Sequence, residues 1–454
     1  MPRRKANYEI NMTEGPLLSK IIRFSIPLIM TGILQLLYNA ADIVVVGRFA
    51  GSTALAAVSS SGPMINLLVN FFMGLSLGAS VLVAQHYGAG DLKGVSDTVH
   101  TTITLSLACG TAVGVLGLCF GKTLLRFMGT PPEVLDLSSV YIIIFFAGSP
   151  FNMLYNFGAA VLRAVGDTRR PMYFLIISGI VNVVLNLIFV IIFHMSVAGV
   201  ALATVISQAI SAVLVMRCLM HTDSAIRVSL RHLRFVRDKA ARMISVGLPA
   251  ALQSAVFSIA NLLIQSSINS FGADAMAGNG AAGNIETFIY TSMTAVYTSC
   301  LTFTSQNVGA KKGERLTRIL LMCMLCVIAV AAVMGAVVMG FKEQLLSIYC
   351  TDPHVIYLGT FRINAIVSTY ALCGIMDVLV GSLRGMGDSI RPMIVSILGV
   401  CVLRIIWIYT VFAAHRSLET LYLCYPISWT VTAIAHFICW IFVRRKTLAR
   451  LKEA

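Results

Sequence analysis

Long apolar runs alternate with short polar segments along the whole chain. Each run is long enough to cross the hydrocarbon core of a bilayer, which takes about 20 mostly apolar residues in a helix. The pattern predicts an all-α membrane protein with twelve spanning helices, six in each half. The expected spans cover roughly residues 25–47, 61–84, 98–120, 138–160, 171–193, 196–218, 243–268, 280–304, 317–340, 356–382, 392–413 and 420–443.

One polar motif interrupts these runs twice. It reads Leu-Arg-Ala-Val-Gly-Asp-Thr-Arg-Arg-Pro-Met from Leu162 and Leu-Arg-Gly-Met-Gly-Asp-Ser-Ile-Arg-Pro-Met from Leu383, an offset of 221 residues. A second motif, Gln-x-x-Gly-Ala, starts at Gln85 and again at Gln306, with the same offset. Constant spacing of this kind indicates an internal duplication, and many secondary transporters are built in that way.

The duplication predicts the domain organisation. We expect an N-terminal six-helix lobe over residues 1–220, a basic cytoplasmic linker over 221–242, and a C-terminal six-helix lobe with a basic tail over 243–454.

The composition supports a membrane protein. The 454 residues are 57% hydrophobic and only 12% charged, whereas a soluble domain carries about 25% charged residues. The eleven cysteines lie mostly inside apolar runs and do not follow a disulfide framework. The N-terminus lacks the pattern of a cleaved signal peptide, so we expect the first apolar run to be retained as a span.

The net charge of +15 is distributed unevenly. With the N-terminus in the cytoplasm, 27 of the 34 Lys and Arg residues fall on the inner face, five fall on the outer face and two lie within or near spans. This bias predicts cytoplasmic N- and C-termini in a bacterial-type cell membrane, with the cations facing lipid headgroups. The basic segment from Arg217 to Arg242 predicts an interfacial helix. No aromatic residues are interleaved with its charges, so no nucleic-acid partner is expected.

The repeated Gly-Asp motif has a structural interpretation. Glycine permits a tight reversal, and Asp167 and Asp388 can cap the helix that follows. Arg163 and Arg384 can extend to the cytoplasmic headgroups.

Asp42 lies deep in the first span. An ionisable residue at membrane depth is costly and is therefore a functional candidate. Its helix face is polar over several turns, so that face must line the interior or a water-filled cavity. A structural ion pair with Arg48 is the alternative to a cation-coupling role. The other polar residues on this face are Thr31, Gln35, Tyr38 and Asn39.

Two further acids lie in the second half. Glu286 shares a face of span eight with Tyr290 and Tyr297, and the alternative is a glutamate at the outer headgroups. Asp377 lies seven residues before Arg384, or about 10 Å along one helix, which is too far for a direct ion pair. We therefore expect Asp377 in a cavity and take both acids as candidate coupling residues.

Arg404, in span eleven, would be a lone cation in hydrocarbon without an acidic partner. Asp377 and Glu286 are the candidate partners, and a structural bridge is as well supported as substrate contact. None of the three acids has an acid at the matching position of the other half. Those matching positions are Ile264 for Asp42, Ile65 for Glu286 and Asn156 for Asp377.

Neutral polar side chains recur one turn apart in several spans. Hydrogen bonding between helices explains such residues, but amide oxygens near Asp42 could also bind a hard cation such as Na⁺. We take Asn39, Asn182 and Asn186 as candidate coupling residues with the acids. The candidate substrate-cavity residues are Gln35, Tyr38, Asn66, Asn70, Asn156, Asn261, Gln265, Tyr290, Tyr297 and Arg404. No cofactor is expected, and no metal other than Na⁺ at Asp42.

These motifs resemble the multidrug and toxic compound extrusion (MATE) transporters. The resemblance rests on Asn39-Ala-Ala-Asp42, Gln85-x-x-Gly-Ala89, Leu162-Arg-Ala-Val-Gly-Asp167 and Gly381-Ser-Leu-Arg-Gly-Met-Gly-Asp388. It implies two six-helix bundles around a V-shaped cleft and export of organic cations in exchange for Na⁺ or H⁺. It also implies a cation-responsive acid in the first helix, which falls on Asp42. Span seven lacks an acid found in some branches, and span five has asparagines where others have an acid, so the coupling ion stays open.

The sequence therefore favours a secondary active exporter that works by alternating access, expected to be a monomer in the lipid bilayer. A flippase for lipid-linked precursors on the same fold is the alternative. A membrane enzyme lacks motif support, and the duplication favours a carrier over a channel. No ATP-binding motif of the P-loop type is present, so uphill transport requires a gradient or a partner.

Overall fold

The fold consists of long helices joined by short turns. A computed structural model describes residues 8–453, and within that range there is no β-strand. The main helices are α1 (Leu17–Ala50), α2 (Ser52–Gly88), α3 (Leu92–Phe127), α4 (Pro132–Ala147 and Ser149–Ala164), α5 (Arg169–Ile192), α6 (Ser196–Met220), α7 (Arg237–Asn269), α8 (Ala273–Gly309), α9 (Arg315–Gly340), α10 (Pro353–Val367 and Tyr370–Gly385), α11 (Ile390–Phe412) and α12 (Leu418–Glu453). A short helix, Lys342–Ser347, precedes α10.

These twelve helices coincide with the twelve predicted spans. By length and apolar composition, nine helices of the described chain could cross a membrane, or eleven when each of two bent pairs counts as one span. The remaining one, α8, is 37 residues long. Its Gly, Ser, Thr and Asn residues make it less apolar than the others, although it corresponds to the predicted eighth span.

Helices α4 and α10, predicted as continuous spans, are each bent by 47°. The bend in α4 follows Gly148 and precedes Pro150, which has no backbone N–H to donate to the helix. In α10 the break lies beside Thr369, whose hydroxyl donates to the carbonyl of Ile366 at 3.0 Å, and such back-bonding bends helices. Two different local sequences therefore produce the same bend at matching positions of the repeat.

The Gly-Asp turns also match between the halves. Gly166 and Gly387 adopt φ angles of 94° and 88°, a region that favours glycine. Asp167 accepts a hydrogen bond from the backbone N–H of Arg170 at 3.1 Å. Asp388 accepts the corresponding bond from Arg391 at 3.2 Å. The predicted capping role of the two aspartates is confirmed.

Arg384 does not reach the headgroups. It is 5% exposed and donates to the hydroxyl of Tyr297 and to Oε1 of Gln253, both at 2.8 Å. The prediction for this arginine was wrong because buried acceptors on α7 and α8 replace the water that a headgroup position would supply.

The predicted interfacial helix in the basic linker was also wrong. Between α6 and α7 the structure has only a short 3₁₀ turn, Leu230–His232. The backbone N–H of Ser229 donates to Nε2 of His100 at 3.1 Å, and that of Val236 donates to the hydroxyl of Thr101 at 3.1 Å. Side chains of α3 thus satisfy backbone donors that a helix would otherwise have paired internally.

Two compact units make up the chain. Unit 1 holds the described residues up to Asn11 together with Met30–Gly247, and unit 2 holds Met12–Ile29 and the described residues from Leu248 onward. In unit 2, α8 and α10 pack closely because Gly381 and Gly385 face the backbone carbonyls of α8. A Cβ on Gly381 would lie 2.8 Å from the Tyr297 oxygen, and one on Gly385 would lie 2.7 Å from the Leu301 oxygen. Small residues four apart allow such close helix contact in membranes.

Four stretches of the helices are wound as π-helix. They are Val46–Ala50 at the end of α1, Ile188–Ile192 at the end of α5, and Ile397–Val402 and Ile408–Phe412 in α11. Such segments are rare and often lie at functional sites.

Candidate functional site

A polar cluster in unit 1 joins α1 to α5. Nδ2 of Asn186 donates to a carboxylate oxygen of Asp42 and also to Oδ1 of Asn182, the latter at 3.3 Å. Asn182 and Asn186 are 5% and 0% exposed. Among the described residues, Oδ1 of Asn186 is buried and has no hydrogen-bond partner. The structure therefore brings together one carboxylate and two amides predicted from the sequence.

The surroundings of this cluster are apolar. Val45, Val46, Val190 and Val197 belong to one buried hydrophobic group beside it. Tyr141 of α4 is part of the same group and lies within electrostatic range of Asp42. The two amides are buried and Asp42 is half-buried, so their oxygen atoms could replace part of the hydration shell of an ion.

The structure does not support the alternative pairing of Asp42 with Arg48. No ion pair joins them among the residues that the structure describes, and Arg48 is exposed in the final turns of α1. Elsewhere on the polar face, the hydroxyl of Tyr38 donates to the carbonyl of Ile176 at 3.4 Å. Gln35 and Asn39 are exposed. Gln35 and Asn39 are thus on the exposed side of α1, Asp42 is half-buried, and Tyr38 holds α1 against α5.

The other candidates in unit 1 are not joined to this cluster by any hydrogen bond within residues 8–453. Asn66 and Asn70 are exposed on α2. Nδ2 of Asn156 donates to the carbonyl and the side-chain oxygen of Asn152, at 2.9 and 2.7 Å. Asn156 is therefore satisfied within its own helix.

In unit 2, Glu286 is held by an arginine that sequence analysis did not select. Arg362 of α10 donates from Nε and Nη2 to the two oxygens of Glu286, at 2.9 and 2.8 Å. The two side chains are 10% and 6% exposed. Paired in this bidentate way, Glu286 is buried and is not free to bind another cation in this conformation.

A hydrogen-bond network extends from that pair. Arg362 also donates from Nη1 to Oδ1 of Asn279, and Nδ2 of Asn279 donates to Gln265 at 2.9 Å. The hydroxyl of Tyr422 reaches the same Asn279 oxygen at 3.4 Å. Gln265 of α7 is thus a member of a buried polar network, whereas Asn261, one turn earlier, is exposed.

Arg404 has neither of the partners expected for it. Its Nε donates to the hydroxyl of Ser428 at 2.9 Å, and its guanidinium lies 4.3 Å from the ring centroid of Tyr425 and 5.8 Å from that of Trp429. Glu286 is paired with Arg362. By the predicted span boundaries, Arg362 lies closer than Arg404 to the depth of Glu286. Of the two alternatives for Arg404, the bridge to an acid is not formed in this structure, and aromatic rings of α12 take the place of the carboxylate.

Asp377 lies in a second polar region of unit 2. It is within electrostatic range of Tyr290, Tyr297 and Arg384. No hydrogen bond to its carboxylate is found within the described range, although Arg384 is held nearby by Tyr297. The structure thus places Asp377 and the two predicted tyrosines in one neighbourhood.

Arg362 could have been found from the sequence by comparing depths. Spans eight and ten cross the membrane in the same direction, and Glu286 and Arg362 each lie six residues after the predicted start of their span, at 280 and 356. Equal depth in spans of the same direction is the signal for such a pair. Tyr141, Asn279, Tyr425 and Trp429 had no comparable signal because polar and aromatic side chains occur in every span.

Comparison with known proteins agrees with this architecture. The MatE family model matches residues 27–188 and again residues 249–410, which together make up more than half of the chain. The chain belongs to the MATE transporter family. The two matched segments correspond to the two halves of the repeat, so this is a transporter of two related halves that spans the membrane several times.

Relatives and solved structures cover the chain almost completely. It is 26% identical over 441 residues to the protein named Probable multidrug resistance protein YoeA of Bacillus subtilis, covering 94% of both chains. It is 24% identical over 443 residues to a protein of Shewanella oneidensis named FAD transporter, covering 96% of both. An outward-facing structure of a multidrug resistance MATE family transporter superposes with a TM-score of 0.90 at 23% identity, over 99% of this chain and 100% of the other.

Proposed function

We propose that this MATE transporter exports organic cations or drugs from the cell in exchange for Na⁺ or H⁺. The observation that carries the proposal is the cluster of Asp42, Asn182 and Asn186 in unit 1, with a buried amide oxygen that lacks a partner. Hard cations are bound by carboxylate and amide oxygens, and a proton could instead bind the carboxylate alone. The relative named for multidrug resistance supports drugs as the cargo.

Coupling requires that the ion and the substrate favour different conformations or compete for one site. An ion at Asp42 would neutralise the carboxylate and change its hydrogen bond with Asn186. An organic cation would lose its attraction to the same carboxylate. Moving one charge across a potential of 100 mV supplies about 2.3 kcal/mol, and the ion gradient adds to that energy.

The acids of unit 2 support this role less directly. Glu286 would have to leave Arg362 before it could bind an ion, and breaking a buried ion pair costs about 3–5 kcal/mol. Asp377 has no such bidentate partner and is the second candidate for coupling.

We place the cytoplasmic face at the termini of the chain, because 27 of the 34 cationic residues fall on that side.

The proposal predicts that Asp42→Asn abolishes coupling. In proteoliposomes that hold a fluorescent organic cation, an imposed Na⁺ or pH gradient should drive its transport by the native protein. We expect Asp42→Asn to lower the gradient-driven rate at least about tenfold, because the substitution removes the charge that the ion binds. Applying the two gradients separately identifies the coupling ion.

Asp136→Asn is the matched control. It makes the same chemical change at an exposed carboxylate, paired with Lys122 at the surface, and should leave the rate unchanged. Equal gradient-driven rates for Asp42→Asn and the native protein would contradict the coupling role of Asp42. Folded native protein that moves no organic cation under either gradient would instead favour the flippase for lipid-linked precursors.

A further inference from the structure

The buried charges of unit 2 do not balance locally. Glu286 is neutralised by the bidentate Arg362, and Asp377 lies within range of Arg384. Arg404 is 4% exposed, and no acid of the described chain forms an ion pair with it. A cation at this depth has a high free-energy cost unless something pairs with it, and arginine remains protonated in proteins.

The guanidinium of Arg404 is fixed in one orientation. Its central carbon lies over the ring of Tyr425, 4.3 Å from the centroid, and its Nε donates to Ser428. The hydroxyl of Ser428 in turn donates to the carbonyl of Tyr425 at 2.9 Å, which fixes the acceptor. Tyr370 packs edge-on against Trp429 with ring centroids 5.5 Å apart, so this aromatic wall is itself supported.

That orientation leaves one edge of the guanidinium available. Nη1 and Nη2 have no hydrogen-bond acceptor within residues 8–453, and neither is among the fully enclosed atoms that lack a partner. Two parallel N–H groups on one edge match the two oxygens of a carboxylate or phosphate. The aromatic rings compensate only part of the desolvation of the cation.

We propose that unit 2 binds an oxyanion, the carboxylate or phosphate of an amphipathic molecule, at the free edge of Arg404. Tyr425 and Trp429 hold the cation in position. Arg362 also lies 5.8 Å from the centroid of Tyr425, but its charge is balanced by Glu286, so Arg404 supplies the unbalanced positive charge near that ring.

The two units therefore differ in the charge that they attract. Arg404 corresponds to Val183 in the repeat, and Asn182 and Asn186 correspond to Leu403 and Trp407. Unit 1 has oxygen atoms for a cation where unit 2 has apolar residues and a free guanidinium edge. The anion site goes beyond the export proposal and does not depend on the ion coupling assigned to Asp42.

Binding measured without any gradient tests this site. The native protein is placed in phosphatidylcholine nanodiscs and titrated with 2-naphthoate by calorimetry, and 2-naphthamide serves as the neutral analogue of similar shape. We expect saturable binding of the carboxylate, with the amide bound at least about tenfold more weakly because it lacks the charge. Arg404→Gln should weaken naphthoate binding by a similar factor. Arg404→Lys should retain an intermediate affinity, since it keeps the charge without the flat edge.

Arg416→Gln is the control, because Arg416 is an exposed arginine outside the spans. Naphthoate should bind Arg416→Gln with the affinity that it has for the native protein. It should raise the melting temperature of the native protein but not that of Arg404→Gln. Equal affinities for naphthoate and naphthamide, or unchanged naphthoate binding in Arg404→Gln, would overturn the proposal. If phosphatidylglycerol in the nanodiscs displaces naphthoate from the native protein, the site is upheld and its resident oxyanion is a lipid phosphate. Without displacement, the site is assigned to small organic acids.

Discussion

Replacing Arg362 with glutamine is expected to destabilise the protein by about 3–5 kcal/mol, because Glu286 then keeps a buried charge without a cation. The loss should exceed what one hydrogen bond provides, which is about 1 kcal/mol. Arg362 makes two hydrogen bonds to Glu286 and a third to Asn279. Glu286→Gln should be destabilising for the complementary reason, since Arg362 then remains charged and unpaired.

The double variant Glu286→Gln/Arg362→Gln distinguishes the stability lost with the ion pair from the stability lost with side-chain packing. It carries no buried charge at this position, so we expect it to be more stable than Arg362→Gln alone. Free energies of unfolding can be obtained by titration with SDS in mixed micelles, with unfolding monitored by circular dichroism. Losses that simply add in the double variant would show that the two residues act independently, against the pairing seen in the structure.

A leucine at Gly385 is expected to destabilise unit 2 by about 2–3 kcal/mol through overpacking. A Cβ at Gly385 would lie 2.7 Å from the backbone oxygen of Leu301, and a Cβ at Gly381 would lie 2.8 Å from that of Tyr297. Backbone atoms of α8 cannot move aside as a flexible side chain could, so α8 and α10 must separate. Gly381→Leu should therefore produce a loss of similar size.

Gly280→Leu provides the comparison within the same unit. It lies inside α8, and a Cβ there would have nothing within 4 Å. Leucine has a better helix propensity than glycine by up to about 1 kcal/mol, so this variant should be no less stable than the native protein. Size-exclusion profiles after heating would rank the three variants. Equal behaviour of Gly385→Leu and Gly280→Leu would show that close approach of α8 and α10 is not required.

The repeat and the helices could be predicted because they depend on periodic, local properties. Spacing of apolar runs located all twelve helices, and the 221-residue offset of the Gly-Asp motifs from Leu162 and Leu383 located the duplication. The bend in α4 was not predicted although Pro150 is a signal for it in the sequence, and the bend in α10 had no such signal, because it arises at a threonine whose hydroxyl bonds within its own helix.

The candidate site residues that were predicted are those whose signal lay on single helices. Asp42 stood out as an acid in an apolar run, and Asn182 and Asn186 stood out as amides one turn apart. The partner of Glu286 is 76 positions away on another helix. Equal depth indicates Arg362 as a candidate, but the contact itself depends on the rotation of two helices about their axes. The contact of Arg404 with Tyr425 was missed for the same reason, because the sequence of α11 does not indicate which face of α12 packs against Arg404.

The π-wound segments give these side chains their direction. Asp42 and Asn186 each lie just before such a segment, and Arg404 lies between the two segments of α11. Successive residues of an α-helix are turned by about 100° around the axis. If Ile397–Val402 rewound into regular α-helix by one residue, Arg404 would swing by that angle and leave Tyr425. The winding of α11 therefore sets the angle at which Arg404 meets α12.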